Sequence, residues 1–374
     1  MRIIWREELK EKSIIHFIGI KITCKKVPKG LIQNKKSQVE FYLIDAFEIF
    51  HFLPIYKKLL SDGIKVCIVA EPCAINTSKS WFDYETATKI LKDLNIDYKT
   101  KCNPNAKVAI TTQTPQILKK YHHKKAVLSY GIGLNKNNFS ISPETCKNCD
   151  IRLVHGKYQK EKLSKYINKN KIFEIGYPKH EAFFEQKLNK NDLLKKYNIT
   201  TTKPVLVYFP TWDEDSSIQL FGDEINALRN QYYIITKAHH CTYRLPEKQQ
   251  DKDKLYKISD YVLEGNCSFE DAAMLGDFAL IDAKSGASTE VPYLNKEIKT
   301  ILLSPRQNLY DYFNDDIIKN THIINSPDVL KQEIDFITKD NNINTGKKSI
   351  EYFYKTPAAG STKYTADIIK GFLK

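Results

Sequence analysis

Lys237 and His239 stand directly behind the apolar run Tyr232-Tyr233-Ile234-Ile235-Thr236. An ammonium and an imidazole two residues apart, placed where a buried strand stops, can neutralise and hydrogen-bond a diphosphate as a nucleotide departs. Thr211 ends a second such run, Lys203-Pro204-Val205-Leu206-Val207-Tyr208-Phe209-Pro210, and offers a hydroxyl or a backbone donor. A third run, Phe278-Ala279-Leu280-Ile281, leads into Asp282-Ala283-Lys284-Ser285-Gly286-Ala287-Ser288-Thr289-Glu290. There Gly286 permits a tight turn, and a helix starting near Ser288 would aim free N–H groups at a phosphate. Ser285, Ser288 and Thr289 add hydroxyls, and Glu290 can accept from a ribose hydroxyl. Parallel α/β sheets bind ligands beyond the carboxyl ends of their strands, so the three ends are expected to converge on one anionic, diphosphate-bearing ligand. Plainer readings stand beside this one. The serine segment can be an ordinary capped helix start, Lys-x-His an ordinary strand end, and Trp212 a lid on the core. Asp213, Glu214 and Asp215 would repel an anion and are expected to face solvent.

Earlier in the chain, Ser129-Tyr130-Gly131-Ile132-Gly133-Leu134 follows another strand-like run. Its glycines allow close approach of backbone to a ligand, although it is no G-x-G-x-x-G fingerprint. His122 and His123 lie nearby among Lys119, Lys120, Lys124 and Lys125. Tyr130, Gly131 and His123 are therefore the acceptor-side candidates, the alternative for the basic group being the solvated end of a helix. Cys146 and Cys149 have zinc-knuckle spacing but no second pair at a suitable distance, so no metal site is expected.

The elements that must position these residues alternate. Phe41–Asp45, Lys65–Glu71, Val108–Thr111, Ala126–Ser129, Arg152–Val154 and Ile172–Ile175 read as strands, with helices over Phe47–Leu60, Trp81–Leu94 and Pro115–His122. A second set begins near Pro204 and continues through Lys299–Leu303, Thr321–Ile324 and a helix over Pro327–Ile337. This alternation predicts an α/β protein with two Rossmann-like domains facing a cleft. The expected division is a basic leader at 1–40, an N-terminal acceptor domain at 41–182, a linker helix at 183–203 and a C-terminal donor domain at 204–374. The last helix, Lys363–Leu373, is read as able to cross back to the first domain.

Composition bounds the rest. At 374 residues and 42% apolar content the chain can bury two conventional cores. It carries no apolar run of about 18 residues, so no membrane-spanning helix is expected, and no secretory signal is apparent. Its eight cysteines show no framework spacing, which suits reduced thiols in a cytoplasmic protein. The net charge of +14 is uneven: residues 1–180 hold 33 Lys/Arg against 16 Asp/Glu, and the remainder 25 against 28. Such asymmetry predicts that the first half meets an anionic membrane surface or a polyanion; the plain alternative is a solvated, lysine-rich surface. Nucleic acid is the poorer candidate, because the basic residues lack interleaved stacking aromatics. In the leader, the apolar run 14–20 is too short to span a bilayer but can lie on one beside Lys21, Lys25, Lys26 and Lys29. A β-hairpin or packed arm is the alternative.

In order and spacing these motifs resemble the CDP-glycerol glycerophosphotransferase family of teichoic-acid primases and polymerases, over roughly residues 105–372. Phe209-Pro210-Thr211-Trp212 is similar to the family's Ala-Pro-Thr-Trp/Phe strand end. Lys237-Ala238-His239-His240 is similar to its Lys-x-His-Pro, and Ile281–Gly286 followed by Glu290 to its Thr-Asp-Tyr-Ser-Ser and following acid. Gly176-Tyr177-Pro178 matches its Gly-Tyr-Pro, and Gly360-Ser361-Thr362-Lys363 approximates a C-terminal element. The resemblance implies a GT-B-like fold and transfer of a phospho-alcohol from a CDP-linked donor to a lipid-linked saccharide acceptor, with no cofactor. It places Lys237 and His239 in catalysis and Thr211, Ser285, Gly286, Ser288, Thr289 and Glu290 at the donor, and it sets the protein at the inner face of the cytoplasmic membrane. Three positions depart from the pattern. Tyr130 occupies the place of the histidine taken as the family's general base, Lys284 stands where Tyr or Ser is usual, and Asp213 replaces an Arg. A nucleotide-sugar glycosyltransferase, a UDP-sugar 2-epimerase and a non-catalytic nucleotide- or polysaccharide-binding relative remain the alternatives.

Overall fold

The computed structural model describes residues 4–8, 12–17, 20–25, 37–72, 84–112, 115–132, 146, 149–186, 189–264, 268–306, 322–339, 347–355 and 360–374. The chain begins with an antiparallel meander, β1 (Ile4–Glu8), β2 (Lys12–Phe17) and β3 (Ile20–Lys25). The apolar run 14–20 is thus divided between two paired strands, so the leader takes the hairpin alternative rather than a continuous segment lying on a membrane.

A seven-stranded sheet follows, and every pairing in it is parallel. Its elements in chain order are β4 (Val39–Tyr42), α1 (Glu48–Ser61), β5 (Val66–Val69), α2 (Tyr84–Asp93), β6 (Tyr98–Lys99), β7 (Val108–Thr111), β8 (Lys124–Leu128), β9 (Ile151–Val154), α3 (Lys157–Leu163) and β10 (Ile172–Glu174). Strands such as Val66-Cys67-Ile68-Val69 are buried at every position, as a sheet covered on both faces requires. The spatial order is β10-β9-β8-β7-β4-β5-β6. The chain runs from β4 to one edge, then returns beside β4 with β7 and runs to the other. Where direction reverses, neighbouring connections leave on opposite faces and open a crevice beyond the carboxyl ends.

Two helices connect the halves: α4 (Pro178–Glu185) and α5 (Lys190–Lys196). The single linker helix expected over 183–203 is therefore divided. Pro178 supplies the preset φ of a first turn, and Asn189 restarts the chain by accepting from the Asp192 N–H at 3.0 Å. The second half repeats the plan with β11 (Val205–Phe209), α6 (Ile218–Ala227), β12 (Tyr233–Thr236), α7 (His240–Arg244), α8 (Gln249–Ile258), β13 (Tyr261–Val262), α9 (Phe269–Leu275), β14 (Phe278–Asp282), α10 (Ala287–Leu294), β15 (Lys299–Leu303), β16 (His322–Ile324) and α11 (Leu330–Lys339). Its order is β13-β12-β11-β14-β15-β16, again all parallel, with the reversal between β11 and β14.

The last two helices join the halves. On α12 (Lys347–Phe353), Ile350 and Phe353 enter the core of the second half together with Tyr354. On α13 (Ser361–Gly371), Ala366 and Ile369 pack into the core of the first sheet beside α1. Glu181 of α4 caps this last helix, accepting from Gly360 N and from Thr362 N at 2.7 Å. Gly176 turns the chain into α4 at φ +73°, and a Cβ there would lie 3.2 Å from Lys355 O, so backbone conformation and close approach both call for glycine. Among the described residues no helix is long and apolar enough to cross a membrane.

Candidate functional site

Thr211 follows β11 and Ser285 follows β14, the two strands that flank the reversal in the second sheet. Lys237 and His239 follow β12, the next strand over. The structure therefore brings the three expected groups to three adjacent strand ends. A residue that sequence reasoning left without a role ties the Thr211 loop to the end of β14. Asp282, buried at the end of β14, accepts from Thr211 N at 2.7 Å, from Ser217 N at 3.1 Å and from the Ser217 hydroxyl. Burial pushes its carboxyl up to about 7 against those three donors. The signal was present in the sequence as an acid closing an apolar strand.

Each donor-side residue has a defined setting. Lys237 is buried and donates from Nζ to Leu263 O at 3.4 Å. The His239 ring caps α7 by accepting at Nδ1 from Cys241 N at 3.2 Å, and it stacks on Trp212 with centroids 5.9 Å apart. The ligand atoms of His239, His240 and Cys241 lie within 4.8 Å of one another, a closeness that follows from their adjacency at this cap. At the start of α10, Ser288 Oγ donates to Ser285 O at 2.8 Å and Thr289 Oγ1 to Gly286 O at 3.2 Å. Those two hydroxyls serve the first turn of the helix, while Ser285 Oγ accepts from Ala287 N at 3.3 Å.

One expectation about the acidic residues changes. Asp215 does not face solvent: it is buried and pairs with Lys284 at 2.9 Å. The unusual lysine at 284 thus neutralises an acid that would otherwise repel an anion, while exposed Glu214 pairs with Arg306 at 2.9 Å. Glu290, the expected ribose acceptor, is engaged by partners in its own chain. Its Oε1 accepts from the Tyr177 hydroxyl at 3.2 Å, and its Oε2 lies 3.2 Å from His180 Nε2 and 3.7 Å from Lys179 Nζ.

These contacts lie where the carboxyl ends of the two sheets meet. The Tyr177 hydroxyl lies 2.8 Å from Tyr130 O as well and shares its one proton between the two acceptors, so one phenol links the loop after β8 to α10. His180, fully buried on α4, lies with Nδ1 2.7 Å from Glu270 Oε1. Burial and Lys179 lower its pKa, but hydrogen bonds to Glu270 and Glu290 outweigh them and the net shift is upward. Against the opposing cost of burial, the same contact brings Glu270 down to about 2. Around them, Tyr177, Tyr354 and Tyr293 stack, with 4.2 Å between the last two centroids. His155, 4.0 Å from the Tyr177 ring, spends Nδ1 on Gly176 O at 2.9 Å, and burial pushes it down to about 4.

Of the acceptor-side candidates, Tyr130 and Gly131 sit at this meeting place, and Gly131 O accepts from Gln159 Nε2 at 2.8 Å. Burial, then the nearby Glu48, raises the Tyr130 phenol above its ordinary pKa. His123 does not join them. It is exposed and precedes β8, at the amino-terminal edge of the sheet, about 17 Å away by the rise of a five-residue strand. At the reversal of the first sheet, Glu48 accepts from Ile44 N at 2.5 Å, from Asp45 N at 3.1 Å and from the Thr112 hydroxyl. One turn further along α1, the His51 ring stacks on Tyr177 at 5.9 Å. Glu48 and His51 went unnoticed in the sequence. Their trace was two polar residues three apart within the otherwise apolar stretch Phe47-Glu48-Ile49-Phe50-His51-Phe52-Leu53.

Residues 50–279 match the family described as CDP-Glycerol:Poly(glycerophosphate) glycerophosphotransferase. Two curated relatives align over shorter stretches. A teichoic acid glycerol-phosphate transferase of Staphylococcus aureus is 26% identical over 26% of this chain and 28% of its own length. A teichoic acid glycerol-phosphate primase of Bacillus spizizenii is 24% identical over 31% of this chain and 33% of its own. The aligned stretch thus spans about a third of either relative. Among solved structures, a putative UDP-N-acetylglucosamine 2-epimerase from Listeria monocytogenes superposes with a TM-score of 0.62 at 13% identity, covering 91% of this chain and 97% of that one. The wall teichoic acid polymerase TagF, soaked with CDPG, superposes at 0.59 and 15% identity, covering 92% and 90%. Two parallel sheets with facing carboxyl edges, on a fold shared with both enzymes, are a GT-B-like arrangement of two Rossmann-like domains, and the chain belongs to the CDP-glycerol:poly(glycerophosphate) glycerophosphotransferase family.

Proposed function

We propose that this chain transfers a phospho-alcohol, of the glycerol phosphate kind, from a CDP-linked donor to a lipid-linked saccharide acceptor during assembly of a bacterial surface polymer. It would act at the inner face of the cytoplasmic membrane. The observation that carries the reading is the convergence of Thr211, Lys237, His239 and the Ser285–Ser288 turn at the reversal of the second sheet, in a chain of this family. There the positive end of the α10 dipole and the Lys237 ammonium favour a diphosphate. The acceptor hydroxyl attacks the β-phosphorus in line, the bond from that phosphorus to CMP breaks, and CMP leaves with the electron pair. Lys237 and His239 offset the charge that builds on the departing phosphate. Thr211, Gly286, Ser285, Ser288 and Thr289 shape the turn that receives it, and Asp282 fixes the Thr211 loop. Tyr130 and Gly131 lie on the acceptor side.

Calorimetric titration with CMP, CDP, UDP and GDP tests the donor. A cytidine preference weakened by Ser288→Ala supports the reading, whereas a UDP preference would replace it with a nucleotide-sugar enzyme. With a cytidine donor, Lys237→Ala and His239→Ala should each lower turnover about 100-fold. The second should also lose about 1 kcal/mol of stability with the α7 cap. Full turnover in both variants would remove them from the mechanism.

A further inference from the structure

The transfer requires a group that takes the proton of the acceptor hydroxyl, and the meeting place of the two sheets holds several titratable side chains. Most are committed. The Tyr130 phenol is a poor base at neutral pH, and its pKa is raised further. Both ring nitrogens of His180 face carboxylates. His155 spends Nδ1 on Gly176 O, and its Nε2 is sealed in the interior. His239 gives Nδ1 to the α7 cap on the donor side. The Glu48 carboxylate is buried under three donors.

His51 differs from all of these. Among the described residues none hydrogen-bonds its ring, and aromatic groups hold it on three sides. The centroids of Phe47, Tyr130 and Tyr177 lie 6.0, 6.1 and 5.9 Å away. Tyr177 is the residue whose hydroxyl reaches Tyr130 O and Glu290, so the imidazole lies against the linkage between the acceptor-side loop and the donor-side helix. It also sits one turn into α1, the helix that leaves the reversal point of the first sheet. A ring clamped by aromatic neighbours is held in one orientation, as a proton acceptor must be.

Resting on the transferase reading above, we propose that His51 is the general base of the reaction. The acceptor O–H bond breaks and its proton passes to a ring nitrogen of His51. The freed electron pair forms the bond to the β-phosphorus, the P–O bond to CMP breaks, and the imidazolium then releases the proton to solvent. No oxidant or metal enters the balance.

The charges around the ring set its working range. Burial, then Lys179, His155 and His180, hold its pKa well below the ordinary 6.5, so it is neutral at physiological pH. Glu48 lies one turn back on α1, and Glu290 lies beyond the Tyr177 hydroxyl. A bound diphosphate adds negative charge nearby and favours the imidazolium as the proton arrives.

The test follows CMP release from CDP-glycerol by the full chain, with a synthetic lipid-linked disaccharide as acceptor probe. His51→Gln should lose at least about 100-fold in kcat while keeping donor affinity and melting midpoint. The wild type should lose rate only in acid, below pH 6.5, and the residual rate of His51→Gln should lack that acid limb. His51→Ala should recover rate with added imidazole, which a purely structural role would not produce. Full turnover in His51→Gln overturns the proposal. So does a loss that tracks donor binding or folding in both variants without imidazole rescue. A wild type that binds UDP but not CDP-glycerol overturns the transferase reading first, and the role of His51 with it.

Discussion

His180 is held as a cation by two carboxylates that belong to the other half of the chain. Its net pKa is raised, so the stability it contributes is complete below pH 6.5 and is lost as pH rises through the folded value. Glu270 is lowered to about 2, so its contribution is present above about 4.5 and is lost as pH falls toward 2. Between about pH 4.5 and 6.5 both contributions are whole. Replacing His180 with Gln leaves buried Glu270 without its ion-pair partner and Glu290 with Lys179 alone, and should cost about 3–5 kcal/mol. The difference in melting midpoint between wild type and variant should be largest in that window and shrink above it; a difference independent of pH would show that the imidazole is not charged. At this scale legibility was uneven. Lys237, His239, Thr211 and Ser285 could be read because each ends an apolar run, a signal contained within ten residues. His180 could not, because its carboxylates lie 90 and 110 residues further on. His51 was hidden for another reason: a polar residue among Phe and Leu on a buried helix reads as core.

Elements were read best where burial on both faces leaves only apolar residues. Val108–Thr111 and Lys299–Leu303 were placed to the residue, because continuous apolar runs bounded by polar ones have no other stable use in a parallel sheet. Helical stretches with mixed faces were read less well. Pro115–Lys120 is a 3₁₀ turn, and Pro327–Val329 forms another before α11. For the leader the sequence allows a strand pair as well as a membrane-surface segment, because periodicity alone cannot separate them, and the structure takes the strand pair. Packing between elements was invisible from the sequence, and Gly156 is the sharpest case. It begins α3 with extended backbone, and a Cβ there would stand 2.4 Å from Phe353 O at the end of α12. Both sides of that contact are backbone, so neither can yield cheaply. Gly156→Ala should therefore lower the denaturant midpoint by the equivalent of about 1–3 kcal/mol and loosen α12. An unchanged midpoint would mean that the two helices slide freely.

At the scale of the whole molecule, one edge of the first sheet is basic. Lys65, Lys107 and Lys124 precede or begin β5, β7 and β8 and are exposed along the amino-terminal edge of the first sheet, with His123 beside them. This edge lies opposite the strand ends that meet the second sheet. If the basic first half docks on anionic lipid, the chain should sediment with phosphatidylserine vesicles at low salt and be released as ionic strength rises. Charge reversal at these three lysines should weaken that binding while leaving nucleotide affinity intact. Equal sedimentation with zwitterionic vesicles would assign the attachment elsewhere. The path of the last helix has a consequence for the time order of synthesis. The first core is completed by Ala366 and Ile369, although β10 of the same sheet ends at Glu174. A ribosome adding about 5–20 residues per second delivers that closing helix about 10–40 s after the sheet it covers. Through that interval α1 carries an uncovered apolar face, and the emerging first half depends on whatever shields it until that helix arrives.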